Sequence, residues 1–363
     1  KLLLLTFKAP PHLSELLSTI SSARSLRSSS SIQLAVPSFC LTTMGSRAFS
    51  CSVRASALVT VVTTGLADLV LSITGNPGVV GFYRTFMQTL HSRCGYQHPV
   101  WAVSHAGHCA PPASMDMIED GASAAEDDVF GLDGQVEHKL AFLRNHVPRE
   151  TSLVLIGHSI GCYIILEMMK RNPEQKVLKA LLLFPTIERM AQSPQGKVMT
   201  PVLCHMRYVV YLPLFLLSLL PDRLKVGLIR LMLGGIRSLD LTVVQPTLGL
   251  LSGDSAANAM YLGGQEMKKV LKRDDTTIGK HLDKLIFYYG ATDHWCPLQY
   301  YHEIKQDFPL GDFRLCENGF RHAFVLDAGR EVAEMVFEWI CEDLRSRVPG
   351  DQNASFSASA GRL

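Results

Sequence analysis

From about residue 57 the chain alternates short, unbroken apolar runs with longer stretches whose apolar residues recur at helical spacing. Residues 69–74, 100–104, 153–157, 180–184 and 285–289 are such runs, each ending in Gly, Pro or polar residues. This is the pattern of parallel strands buried on both faces. Between them, 81–91, 135–146, 160–171 and 332–345 place apolar residues on one helical face. Strands alternating with helices predict an open, doubly wound α/β sheet, whose chemistry sits where strands give way to loops at their carboxyl ends.

One stretch breaks the alternation. Residues 206–234 hold the run Tyr208-Val-Val-Tyr-Leu-Pro-Leu-Phe-Leu-Leu-Ser-Leu-Leu220, followed by an amphipathic segment. About 13 apolar residues fall short of the roughly 20 that a membrane-spanning helix needs, and Pro213 stands in their midst. The expectation is a helical insert over about 200–264 that caps a site or lies in a lipid interface, with a buried helix pair as the plainer reading. Arg207, Arg223, Lys225 and Arg230 punctuate the apolar run, which favours the interface.

Composition narrows the classes. Hydrophobic residues make up 47% of the chain and charged residues 19%, enough for a large core in the domain expected over 57–347. A net charge of +2 without a Lys/Arg stripe argues against nucleic acid as a partner. Nine Cys without a CxxC pair offer no zinc spacing and read as reduced thiols of an intracellular protein. Residues 1–56 are Ser-rich and basic, with the single acid Glu15. They read as disordered or non-native sequence, although the composition also suits a transit peptide. Residues 348–363 form a polar tail whose Asn353-Ala-Ser355 sequon reads as a chance match.

The strongest chemical signal is Gly157-His158-Ser159-Ile160-Gly161, set between a buried strand and a helix. A tight strand-to-helix turn strains the central serine and lifts its hydroxyl, and glycines on either side remove the clash. The helix N-terminus beneath favours developing negative charge. A serine hydroxyl needs a base, and the fold class orders its triad Ser, acid, His. His322, in the loop after the strand-like 313–316, fits the base; His158 is expected to point away, and His294 adjoins the acid candidate. Asp293, just after the run 285–289, fits the acid, with Asp254 and Asp283 as weaker alternatives. The oxyanion hole would take the N–H of Ile160 and one from Thr74-Gly75-Asn76-Pro77-Gly78, where Pro77 has none and Asn76 or Gly78 remains. The chemistry calls for no metal or cofactor.

These pieces resemble the lipid droplet-associated serine hydrolases, within the α/β-hydrolase fold. The resemblance runs from about Leu69 to Leu344. It rests on Gly75-Asn-Pro-Gly78, Trp101-Ala-Val-Ser-His-Ala-Gly-His108, Gly131-Leu-Asp-Gly-Gln-Val-Glu-His-Lys-Leu-Ala-Phe-Leu143, Leu155-Ile-Gly-His-Ser-Ile-Gly161, Leu183-Phe-Pro-Thr-Ile-Glu-Arg-Met190, Tyr261-Leu-Gly-Gly-Gln-Glu-Met267 and Phe287-Tyr-Tyr-Gly290. Ahead of it, where the family has edge strands, the Ser-rich segment and residues 57–66 match poorly. The resemblance implies Ser159, Asp293 and His322 as the triad and attachment to lipid droplets and the endoplasmic reticulum. It also implies esterase action on sterol esters and acylglycerols, with the greasy insert as anchor. The competing expectations are a droplet-binding protein of little turnover and a soluble small-ester hydrolase that uses the insert as a cap.

Overall fold

The computed structural model describes residues 68–109, 128–234 and 239–345. The Ser-rich segment, residues 57–66, the tail with its sequon, and Cys40 and Cys51 lie outside them.

The elements follow in order β1 (Leu69–Ile73), α1 (Arg84–Arg93), β2 (Val100–Val103), α2 (Leu132–His146), β3 (Leu153–His158), α3 (Ile160–Arg171) and β4 (Val177–Leu183). Five helices form the insert: α4 (Pro194–Cys204), α5 (Arg207–Ser218), α6 (Asp222–Leu233), α7 (Val244–Leu250) and α8 (Gly253–Lys269). Then come α9 (Asp275–Lys280), β5 (Leu285–Gly290), α10 (Leu298–Asp307), β6 (Asp312–Cys316) and α11 (Gly329–Arg345). Among the described residues the sheet has six strands, all parallel, in the order β2-β1-β3-β4-β5-β6. Every residue of β1, β3 and β5 is buried, so both faces of the sheet are covered. α1 packs against α11, and α2 against α3.

The chain runs from β1 outward to β2, then returns to place β3 on the other side of β1. That reversal makes the carboxyl ends of β1 and β3 a topological switch point, the place where such sheets open a crevice. The loop Thr74–Gly78 leaves one of these ends and Ser159 the other.

The insert is wider than the apolar run alone indicates, beginning at Pro194 and ending with α8 at Lys269. Ser193 caps α4, its hydroxyl accepting from the Gly196 N–H at 3.0 Å. α4 and α5 meet at a 79° bend, and among the described residues no single helix is long and apolar enough to cross a membrane. α5 buries none of its residues and continues through Pro213. Tyr208, Val209, Leu212, Phe215 and Leu216 on α5 are exposed, and so are Leu224, Leu231 and Met232 on α6. α8 is the seat of the insert on the body. Its Asn258 Nδ2 donates to the Gly107 carbonyl at 2.9 Å, its Tyr261 hydroxyl to Asp128 at 2.7 Å, and its Lys269 pairs with Asp133 at 2.7 Å. On its other side α8 packs against α4 and α5.

Candidate active site

Ser159 sits between β3 and α3 with φ 56° and ψ −122°, a strained conformation for a residue with a side chain. The flanking glycines make the turn possible. A Cβ on Gly157 would lie 2.9 Å from the backbone of Cys162, and one on Gly161 would lie 2.3 Å from the Ile73 carbonyl of β1. Gly161 thus lets α3 lean directly on the neighbouring strand. The Ser159 N–H donates to the Leu183 carbonyl at 3.0 Å, tying the elbow to β4.

The three residues expected to act together do meet. Ser159 Oγ lies 2.9 Å from His322 Nε2, and His322 Nδ1 lies 2.6 Å from Asp293 Oδ2. A carboxylate only accepts, so Nδ1 carries the proton and Nε2 is left to accept from the serine hydroxyl. Asp293 is held from both sides: the N–H groups of Trp295 and Cys296 donate to Oδ1 at 2.7 and 3.3 Å, and the Cys296 thiol donates to Oδ2 at 3.0 Å. Burial works to raise the Asp293 carboxyl, but the charge on His322 and these hydrogen bonds outweigh it and hold the group below the usual carboxylate range. Asp254 and Asp283 are placed elsewhere. Asp254 lies in the first turn of α8, and Asp283 stands in a 3-10 turn before β5, its carbonyl accepting from Lys179 at 3.3 Å.

The loop after β1 lies against the serine, for a Cβ on Gly75 would come within 3.1 Å of Ser159 Cβ. Its N–H groups are not equivalent. That of Gly75 donates to the Tyr83 hydroxyl at 2.8 Å, Pro77 has none, and that of Gly78 donates to His108 Nδ1 at 2.8 Å. The expectation that Gly78 could serve as an oxyanion donor therefore fails, because its hydrogen is already bound. The Asn76 N–H makes no hydrogen bond among the described residues. Ile160, first in α3, has no intrahelical partner for its own N–H.

His158, the residue before the nucleophile, turns away from Ser159 but is far from idle. Its Nδ1 is 2.6 Å from the Tyr83 hydroxyl and its Nε2 is 2.7 Å from the His322 carbonyl. Burial, and then repulsion by charge on His322, push this imidazole down to about 3, so it stays neutral. Its ring also meets Phe324, which packs on Phe86 and Phe184 as well and anchors the loop that carries His322. Tyr83 lies inside a helical pattern in the sequence, and nothing there marks it as a partner of residue 158. Cys296 and Phe324 likewise carry no motif.

The one group of metal-ligand type among the described residues is Asp293, Cys296 and His322, whose ligand atoms lie within 4.8 Å of one another. These atoms already hydrogen-bond each other, which is the arrangement of a charge-and-proton line. The seven described Cys are free thiols.

Comparison with known proteins places this geometry in context. The family described as lipid-droplet associated hydrolase matches residues 67–325, from the start of β1 through the His322 loop. The chain is 57% identical over 276 residues to the lipid droplet-associated hydrolase of Gallus gallus, covering 76% of this chain and 85% of that one. It is 49% identical over 280 residues to the protein of that name from Homo sapiens, covering 76% and 85%. Among solved structures, a carboxylesterase of Nitrososphaera gargenis aligns with TM-score 0.51 at 13% identity, covering 78% of this chain and 92% of that one. A putative ancestral haloalkane dehalogenase aligns with TM-score 0.53 at 14% identity, covering 77% and 93%. At such identities the structural likeness speaks for the α/β-hydrolase fold alone.

Proposed function

The chain belongs to the lipid-droplet associated hydrolase family, and on that premise we propose that it is a serine esterase cleaving hydrophobic lipid esters, sterol esters and acylglycerols, at the surface of lipid droplets and the cytosolic face of the endoplasmic reticulum. The observation that carries the chemistry is the unbroken line from Ser159 Oγ through His322 to Asp293, at 2.9 and 2.6 Å.

Ser159 attacks the ester carbonyl while His322 Nε2 takes its proton. Asp293 holds the imidazole in the tautomer that leaves Nε2 free, and stabilises the imidazolium that forms. The N–H groups of Ile160 and Asn76 bind the oxyanion, and the α3 N-terminus adds its partial positive charge. His322 then protonates the leaving alcohol. Water, deprotonated by the same nitrogen, releases the acyl group from Ser159 and regenerates the hydroxyl.

The exposed apolar face of α5 and α6 supports attachment to lipid. Tyr208 is 70% exposed, Leu231 78% and Met232 73%, and exposed apolar side chains grouped on neighbouring helices are the kind of surface that lipid or a partner covers. Burying a Leu or Phe side chain is worth roughly 1.5–3 kcal/mol, so seating a handful of them among acyl chains yields on the order of 10 kcal/mol. Arg223 and Arg230 are exposed beside this face, where phospholipid headgroups would meet them.

Labelling with a fluorophosphonate probe tests the nucleophile. Wild type should label and Ser159→Ala should not, and equal labelling of the two would refute the assignment. Turnover of a panel of sterol esters, acylglycerols and short esters by the purified chain, against Ser159→Ala, fixes the substrate class.

A further inference from the structure

The segment Tyr261-Leu-Gly-Gly-Gln-Glu-Met267 takes no part in the chemistry above, yet it places a buried carboxyl beside the oxyanion loop. Glu266, on α8, is 4% exposed. The Asn76 side chain donates one amide hydrogen to Glu266 Oε1 at 2.8 Å and the other to the Ala259 carbonyl, also on α8, at 2.9 Å. With both hydrogens of Nδ2 bound, the carboxamide is pinned to one helix by two points. Gly263 completes the seat: a Cβ there would stand 3.4 Å from Asn76 Nδ2 and 2.9 Å from Leu203 of α4. The missing side chain at that position lets Leu203 of α4 pack directly on the helix beside Asn76.

Resting on the reading of Ser159 as nucleophile and of the Asn76 N–H as oxyanion donor, we propose that Glu266 is a positioning residue of the oxyanion hole: from the insert's α8 it holds the Asn76 side chain, and through it the Asn76 backbone N–H, so that the hole is complete only while α8 is docked. A donor of this kind must be held to within about 0.5 Å to be useful, because a misplacement of about 1 Å can cost on the order of 10²-fold in rate. Gly75 and Pro77, its chain neighbours, have no side-chain group that can hydrogen-bond to α8, so the Asn76 carboxamide supplies this anchorage. Burial drives the Glu266 carboxyl up to about 8, with the Asn76 hydrogen bond opposing. At neutral pH it is thus uncharged and adds no negative potential where the oxyanion forms.

The test uses the full chain with a soluble short-chain p-nitrophenyl ester, so that lipid docking does not enter the readout. Glu266→Ala should lower kcat by about 10-fold or more while KM stays within about threefold. Glu266→Gln presents the same acceptor to Asn76 Nδ2 and should recover most of that loss. Asn76→Ala keeps the backbone N–H but breaks the same pair from the other side, without stranding the amide if Glu266→Ala fails to fold. It should lose kcat to a similar degree, and the double variant should be no worse than either single one. Full kcat in folded Glu266→Ala or Asn76→Ala, or no recovery with Gln, overturns the proposal. Ser159→Ala in parallel separates the two readings. Wild-type turnover there would sink the nucleophile itself, whereas an inactive Ser159→Ala beside fully active Glu266 and Asn76 variants sinks only the positioning role.

Discussion

The Tyr83 hydroxyl donates to His158 Nδ1 across 2.6 Å, and the bond can run in no other direction. The His322 carbonyl can only accept, so His158 Nε2, 2.7 Å away, must carry the hydrogen. A neutral imidazole then has Nδ1 as acceptor, and the Tyr83 oxygen in turn accepts from the Gly75 N–H at 2.8 Å. One oriented chain thereby links the loop after β1 to the loop that carries the proposed base. Burial raises the Tyr83 phenol well above its ordinary range, with the Gly75 hydrogen bond opposing, which keeps the hydroxyl a donor.

Tyr83→Phe should break that chain at its centre. It strands the Gly75 N–H and His158 Nδ1 in the interior, and each orphan costs about 1–3 kcal/mol. Thermal unfolding should shift down by several degrees, and kcat should fall more than KM changes because both linked loops carry groups proposed to act in the transition state. An unchanged Tm would show that water replaces the phenol.

Asp293→Asn should be nearly inactive while remaining folded. Two N–H groups already donate to Oδ1, which fixes the amide oxygen there and turns the NH₂ toward His322 Nδ1. His322 must then accept at Nδ1 and carry its hydrogen on Nε2, where it can no longer take the serine proton. A loss on the order of 10³–10⁴-fold in kcat is expected, read against a Tm within a few degrees of wild type.

The Glu266 carboxyl gives stability a pH dependence of definite sign. Its folded value, about 8, lies above the ordinary 4.5. Between these values the folded chain binds the extra proton, so this group's stabilisation is fully present below about 4.5 and is lost as pH rises to about 8. Glu266→Gln removes the term. The gap in Tm between Glu266→Gln and wild type should therefore widen in favour of Gln from pH 5 to pH 8. A constant gap would mean that Glu266 is charged throughout.

Leu212→Asp with Leu216→Asp alters two exposed positions on α5 that make no core contact. Stability should move by less than about 1 kcal/mol. Co-flotation with lipid droplets should drop steeply, and so should the ratio of activity on emulsified ester to activity on soluble ester. Unaltered flotation would shift the interface away from α5.

How much of this could be read in the sequence follows from the range of each interaction. The strands were legible because a strand buried on both faces must be largely apolar, and β1, β3 and β5 are, with Ser72 in β1 and His158 in β3 as the polar exceptions. β4 starts three residues before its apolar run, at Val177, because its first turn-ward residues lie near the sheet end, where Lys179 reaches solvent. Ser159, Asp293 and His322 were legible because each follows a strand end, which the fold brings to one crevice. The insert's far end was not. The expectation ended the insert near residue 264, but α8 runs on through Gly263 and Gly264 to Lys269. Tyr83, Cys296 and Glu266 act across 75, 3 and 190 residues of chain respectively. Two of these separations are tertiary, and the third is a local thiol bond that no spacing rule marks.

The seating of α8 bears on how this protein could be dissected or could diverge. A splice form or engineered truncation that removes residues 194–269 would be a natural way to ask for a soluble version of the enzyme. Yet α8 carries both the contacts to α5 and the grip on Asn76. If the proposals above hold, such a chain would give up its lipid attachment and its catalytic competence in one step. Separating address from activity calls for surface exchanges on α5 and α6, with the strut beneath them left whole.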